Sequence, residues 1–470
     1  LYAIQFAIPW LAGYDGYFHI KYSALLREKG FVSSLPWLHF TIFSEYFRDH
    51  HLLFHYLLVP FTTGDLIRGG KLAAFLFSLF PGIALFLLLR AASVRIPMLW
   101  SIAAVLSSQP FLFRLSLLRV QSLALGLLLW IFFLHLKRKN TLIFLSSLLF
   151  VWLYDAFPLV LLVSGAYVIS RWLVERERDL RPFFLSLLGI CAGLVLNPYF
   201  PENITSLFYN IYRTLLLELR DIQLGVEWNP YNTWSLLGNS LPAFVLFFMS
   251  ILSMPLTRKV KAEEYALLVL SLVFLVLTFK SRRFIEYWPL FSFATAGLVI
   301  GRRLRPGYVA VLILLISPLL FSNYTGVKAD LRKTRNPRMY ERAALWLQEN
   351  TEEGEVVFNA DWDDFPFLFF YNHHNYYIVG LDPMYMYSYD RDLYLLYKAI
   401  TRGKKADPGK MIREKFGARF VFLDRTHLEL YRRLRRDPLA SKVYEDKGSI
   451  IFRIGEAGDG MIRKYDNPRR

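Results

Sequence analysis

An aspartate, an imidazole and an amine (Asp15, His19 and Lys21) stand within seven positions of one another, directly after an apolar opening segment. Ionised groups beside hydrocarbon are expensive unless they face water or a partner. A carboxylate in that place can act as general base on an acceptor hydroxyl or amide, or ligate a hard cation. Pairing with Lys21 is the bland alternative. His19 follows Asp15 by four residues and shares its face if the stretch is helical, where it serves as a site-lining group or a structural hydrogen-bonding partner. Much later, Arg283 opens an apolar segment at a level where a lipid headgroup would lie. A planar guanidinium grips phosphate oxygens two at a time, whereas ordinary interfacial snorkelling would ask nothing more of it. Arg114 and Arg119 repeat the argument between two other apolar segments. Asp361, Asp363 and Asp364 lie among Trp362, Phe365 and Phe367, a mixture of ring faces and carboxylates that suits a sugar. Asp49, His50, His51 and His55 form a polar knot. His51 and His55 have i,i+4 spacing, but without a Glu-x-x-His frame they read as site-lining groups rather than a zinc site. Asp155 either lines a site or marks the turn before Pro158.

The elements that must position these groups are apolar. Of 470 residues, 55% are hydrophobic and 17% aromatic, and the mean hydropathy is +0.32. That exceeds what a soluble domain carries. Residues 1–12 read as the outer end of a helix in which the chain begins. Further spans are predicted at 71–89, 97–110, 116–136, 141–154, 157–173, 183–199, 237–256, 264–280, 284–300 and 307–322, each near the length that crosses a bilayer. Eleven spans leave a first outer loop at 13–70 and a later one at 200–236. The basic blocks Arg90/Arg95, Lys137-Arg138-Lys139, Arg171 to Arg181, Arg258 to Lys261 and Arg302-Arg303-Arg305 fall on alternate loops. The positive-inside rule therefore places them in the cytoplasm, with Asp15, Arg114, Asp155, Glu227, Arg283 and the tail outside. This pattern also accounts for the net charge of +17. A nucleic-acid surface would need a basic face on a soluble domain, and only local runs such as Arg432-Arg433 and Arg435-Arg436 occur there. The single cysteine, Cys191, excludes an internal disulfide and a Cys-based metal site.

Hydropathy collapses after residue 322. Helices are predicted at 338–350, 407–415 and 427–436, and strands at 355–360, 376–381, 419–424 and 449–454. Alternating helices and short apolar strands point to a small α/β domain over 323–470. The expected fold is thus a polytopic α-helical membrane domain, residues 1–322, followed by an extracytoplasmic α/β domain.

Four stretches carry a resemblance to the GT-C superfamily of membrane glycosyltransferases, in particular oligosaccharyltransferase catalytic subunits and their bacterial relatives. Tyr14-Asp15-Gly16-Tyr17-Phe18-His19 resembles the acidic motif of the first outer loop. Gly225-Val226-Glu227-Trp228 is similar in placement to the loop whose Glu completes the oligosaccharyltransferase site. Arg282-Arg283-Phe284-Ile285-Glu286-Tyr287-Trp288-Pro289 resembles an Arg-Phe-x-x-Tyr element in which Arg meets the lipid phosphate, with Tyr287 lining the site. Asn359-Ala360-Asp361-Trp362-Asp363-Asp364-Phe365 resembles the start of the periplasmic domain, where oligosaccharyltransferases carry Trp-Trp-Asp-Tyr-Gly. The second Trp and the Tyr-Gly are absent here, and so is an Asp-x-Asp near residues 108–118.

The resemblance implies transfer of a sugar or oligosaccharide from a polyprenyl-phosphate-linked donor to a protein, lipid or glycan acceptor, at the outer face of the cytoplasmic (plasma) membrane. Asp15 and Glu227 would be catalytic and, in a metal-dependent version, would hold Mg2+ or Mn2+. Glu227 reads equally as a solvated loop acid. Arg283, Arg119 and Arg114 would bind the donor phosphate. His19, Asp49, His51, Asp155 and Tyr287 would line the site, and Trp362, Asp363 and Asp364 would meet the acceptor. Two other classes stay open: a transporter or flippase of lipid-linked glycans, and a non-catalytic glycolipid-binding relative. Transporters place ionisable groups near the bilayer midplane, whereas these groups gather on outer loops.

Overall fold

The computed structural model describes residues 1–44, 47–205, 222, 225–255 and 260–455. Much of the expected loop 200–236 lies outside the described residues. The chain divides into two compact units: one of residues 1–13, 49–217 and 225–334, the other of 14–48, 218–224 and 335–470.

The first unit is helical, and this is a multi-pass membrane protein. Leu66–Ala91, Pro158–Glu175, Ala262–Lys280 and Pro306–Arg332 are long and apolar enough to cross a bilayer. Two further candidates are bent pairs, Pro97–Leu106 with Gln109–Leu115 at 92° and Thr233–Asn239 with Leu241–Ser253 at 86°. The straight spans expected at 97–110 and 237–256 are therefore broken. At each break a serine stands two residues before a proline in the first turn of the next helix (Ser108 and Pro110, Ser240 and Pro242), as helix-start chemistry dictates. Ser108 and Ser240 share a hydrogen bond of 2.8 Å, and Asn323 Nδ2 donates to the Leu106 carbonyl at the end of the first bend. Residues 1–12 supply only one turn, Tyr2–Gln5, and the last span continues ten residues past the expected end, to Arg332.

Packing inside this unit follows membrane rules. A Cβ on Gly189 would lie 2.4 Å from the Phe144 carbonyl oxygen, and one on Gly193 would lie 2.8 Å from that of Leu148. This small-xxx-small pair lets Arg181–Val195 lie against Asn140–Leu153. At one edge, Arg302 bonds Glu263, Glu264 and the Ala92 carbonyl, while Arg303 takes the other Glu264 oxygen. Part of the basic excess there is thus neutralised within the fold.

The second unit is α/β. Strands β1 (Val356–Asn359), β2 (Tyr376–Tyr377), β3 (Phe420–Asp424), β4 (Ala440–Glu445) and β5 (Ser449–Ile454) form one sheet in the order β2-β1-β3-β5-β4. β1 pairs parallel with β2 and β3, and β5 pairs antiparallel with β3 and β4. Residues 14–48 join this unit: Trp37 and His39 exchange backbone bonds with Tyr377, and Trp37 Nε1 donates to the His373 carbonyl. The Asp15–Lys29 helix buries Tyr17, Phe18 and Tyr22, with Tyr17 and Phe18 meeting rings of the Phe365–Tyr371 helix. Asp15 therefore belongs to the α/β unit and not to the membrane unit.

Candidate functional site

In the membrane unit, three of the expected phosphate-binding arginines converge on Glu227. Arg114 follows the first helix bend, Arg119 stands just before the Gln121–Leu136 helix, and Arg283 lies in the short turn Arg282–Glu286. Glu227 Oε2 accepts from Arg114 at 3.2 Å and from Arg119 at 3.0 Å, and Oε1 lies 3.7 Å from Arg283 Nε. Arg114 also bonds Glu286 through Nε. Among the described residues the three guanidinium groups thus share two carboxylates. Burial pushes the Glu227 carboxyl up, but Arg119, Arg283 and Arg114 outweigh it and hold the group well below the usual carboxylate range.

The loop that carries Glu227 is clipped by the segment that carries Arg283. Ser281 Oγ donates to the Glu227 carbonyl, and Arg282 donates to the carbonyls of Asn229 and Pro230. Arg283 stacks on Trp228 at 4.8 Å and Arg282 on Tyr231 at 5.3 Å. Burial drives the Tyr231 hydroxyl up to about 12. His51 stacks on Tyr154. Tyr287 is buried in a stack with Phe274. Asp49 is a structural acid, not an open site-lining one: buried, it bonds His55 Nδ1 at 2.7 Å and the His51 amide. Glu286, three residues after Arg283, anchors Arg114.

Asp15 folds with the α/β unit and Glu227 with the membrane unit. The donor set around Glu227 is unsuited to a dication, because its oxygens already face three guanidinium groups and a metal would add to that repulsion. Among the described residues, no group of three or more His, Cys, Asp or Glu is arranged to hold a metal.

The α/β unit gathers acids around one cation. Asp15 is the first residue of its helix, and the helix that follows puts His19 on the same face, though His19 itself is buried. The neighbouring Tyr14 lies under Arg335 at 5.9 Å. Arg335 donates to Tyr340 Oη at 2.7 Å and reaches Asp364 at 3.5 Å and Asp424 at 3.4 Å. Asp424 also lies 2.7 Å from His427 Nδ1, whose Nε2 is 3.9 Å from Asp361. Asp361 follows β1 and Asp424 ends β3, so these groups stand at the carboxyl ends of parallel strands whose crossovers diverge. In open α/β sheets that switch point is where ligand sites form.

Asp364 departs from its expected acceptor role. It is 0% exposed, takes the Tyr340 hydroxyl at 2.8 Å, and leaves Oδ2 without a hydrogen-bond partner among the described residues. Burial, then Asp424 and Asp361, raise its carboxyl far above the ordinary range, so it holds its proton. Asp363 and Trp362 are half-exposed, Trp362 resting on the core of this unit. Arg335, Tyr340, Asp424 and His427 escaped sequence reasoning. The one local signal was an acid ending the apolar strand Phe420–Asp424, followed by Thr426 and His427.

The archaeal oligosaccharyltransferase AglB from Archaeoglobus fulgidus, in complex with an inhibitory peptide and a dolichol-phosphate, superimposes with a TM-score of 0.66 over 98% of this chain and 71% of its own, at 13% identity. ArnT from Cupriavidus metallidurans bound to undecaprenyl phosphate gives 0.61 over 96% of this chain and 95% of its own, at 14% identity. The fold is that of the GT-C glycosyltransferases. A third GT-C structure, the mycobacterial arabinofuranosyltransferase AftD, matches 97% of this chain with 39% of its own at a TM-score of 0.58 and 13% identity. No family model and no curated protein sequence matches the chain. At such identities the GT-C likeness is one of fold, and the chemistry has to come from the residues.

Proposed function

We propose that this chain is an integral-membrane glycosyltransferase. It transfers a sugar or oligosaccharide from a polyprenyl-phosphate-linked donor to an acceptor at the outer face of the plasma membrane, where its α/β unit is exposed. The observation that carries the reading is the convergence of Arg114, Arg119 and Arg283 on a single carboxylate. When the bond between the anomeric carbon and the phosphate oxygen breaks, its electron pair stays on the phosphate, which gains one negative charge. Guanidinium groups already fixed in place stabilise that charge without reorganising. The acceptor oxygen or nitrogen attacks the anomeric carbon and gives its proton to a base, the role assigned to Asp15. Trp362 and Asp363, beside the switch point that also holds Asp361 and His427, are the acceptor contacts. The fold shared with a protein crystallised with undecaprenyl phosphate supports a lipid-phosphate donor. The route needs no divalent ion, in keeping with the cation-rich surroundings of Glu227.

The test is transfer from radiolabelled polyprenyl-phosphate sugars by purified wild type and Asp15→Ala, with and without EDTA. The expected outcome is a loss of roughly 10²–10⁴-fold in the variant and none with EDTA. Loss with EDTA as well would restore a metal centre, and full activity of Asp15→Ala would remove Asp15 from the chemistry. Absence of transfer from every donor would turn the reading to a carrier or a glycolipid-binding protein. The two bent helix pairs are a feature carriers also use.

A further inference from the structure

The three arginines already hold an anion, and it belongs to the protein. Glu227 presents both carboxylate oxygens to guanidinium groups, Oε2 to two and Oε1 to the third. Its loop does not depend on that contact. The Ser281 hydroxyl, the Arg282 amide and guanidinium, and the ring pairs at Trp228 and Tyr231 hold the backbone at Glu227 and over the four residues after it. The carboxylate is therefore removable by side-chain rotation while the loop stays clipped. Arg114 would keep Glu286 as a partner, and the Glu227 side chain is one-quarter exposed, so it has water to turn into.

We propose that Glu227 occupies the subsite of the lipid phosphate and is displaced by it, so that it acts as a resident competitor and not as a catalytic acid. This rests on the reading that Arg114, Arg119 and Arg283 bind the donor phosphate. A carboxylate offers two oxygens and one charge, as does the phosphodiester of a sugar-linked lipid. The phosphomonoester left after transfer carries nearly two charges and a third oxygen. Glu227 thus exchanges with donor on even terms, keeps the guanidinium groups converged between turnovers, and returns to push out a product that would otherwise stay bound. The ligand class is a lipid phosphate, a diester before transfer and a monoester after it, whose headgroup chemistry free phosphate shares.

Binding of undecaprenyl phosphate and of inorganic phosphate to the purified full chain tests this in wild type, Glu227→Gln, Glu227→Asp, Arg119→Gln and Arg283→Gln. The aspartate variant keeps the charge but withdraws the carboxylate by one methylene. Displacement predicts that both Glu227 variants bind undecaprenyl phosphate at least 10-fold more tightly than wild type, and that product inhibition rises in step. Tightening in Glu227→Gln alone would reduce the effect to the removal of a nearby charge and overturn the proposal. Unchanged or weaker binding in both variants would also overturn it. Tightening for inorganic phosphate as well as the lipid assigns the effect to the headgroup, and tightening for neither is again a refutation. The parent reading fails separately, if Arg119→Gln and Arg283→Gln bind undecaprenyl phosphate like wild type. Should one Glu227 variant fold poorly, product inhibition of the other decides.

Discussion

The two units carry charge clusters of opposite construction. In the membrane unit, three guanidinium groups converge on the carboxylate of Glu227, with Glu286 holding one of them. In the α/β unit, Asp364 and Asp424 hold one guanidinium, Arg335, with Asp361 behind His427. There the excess is negative, and a proton on Asp364 relieves it. A cluster of cations that cannot give up their protons must wait for a ligand. A cluster of carboxylates can settle its own charge from solvent. On that difference rests the proposal that the first is a binding site, whereas the second, at its buried end, is a piece of architecture.

The comparison breaks most visibly at Arg283. Its replacement by Gln is expected to lower transfer roughly 10²–10³-fold, the usual loss when a preorganised charge-stabilising donor is removed, with thermal unfolding little moved. Comparable loss of stability would mean that the cation cluster is structural after all. Arg335→Gln should do the reverse. Breaking a buried pair costs about 3–5 kcal/mol, but Arg335 is partly exposed and Asp364 can stay protonated, so about 1–2 kcal/mol is expected. Thermal unfolding of the full chain in detergent reads it, with transfer per folded molecule as the control.

A smaller effect sharpens the contrast through pH. Burial pulls His427 down, yet Asp424 and the other acids raise it above its ordinary value. Its contribution is therefore complete below about pH 6.5 and fades as pH climbs through the raised value. Asp364, also raised, has the same sign. Glu227 is depressed, so its contribution is present above the ordinary carboxylate range and disappears on acidification. Alkali should thus loosen the α/β unit and acid the arginine cluster. His427→Gln should flatten the alkaline limb of an unfolding-versus-pH curve and, because His427 also helps hold Asp424 below its ordinary value, weaken part of the acid limb. An unchanged alkaline limb would show that His427 contributes nothing there.

Much of this was legible in the chain because it is local. Apolar runs mark helices, and basic blocks between them suggest sidedness. Asp15, Glu227 and Arg283 stood out as charges with no reason to be where they are. The bends were written too, in Ser108 before Pro110 and Ser240 before Pro242, but a hydropathy window averages across them. What could not be read was partnership over distance. Arg335 meets Asp424 across 89 residues, and nothing near either announces the other. β4 escaped because Ser441 to Glu445 face solvent at a sheet edge and carry little apolar pattern. The placement of residues 14–48 with the α/β unit rests on Trp37, His39 and Tyr377, contacts that no periodicity encodes.

The hydrogen bond between Ser108 and Ser240 bears on how such a chain can be altered. The first serine leads into the helix that bears Arg114, and the second follows the short helix after the Glu227 loop. Water is scarce at such a buried spot, so neither hydroxyl has an easy substitute partner. The two elbows are heritable as a set. A chimera that imports one of them from a relative, with its own residue at the crook, would leave a donor stranded in the other, and grafts aimed at new donor preference would have to carry both.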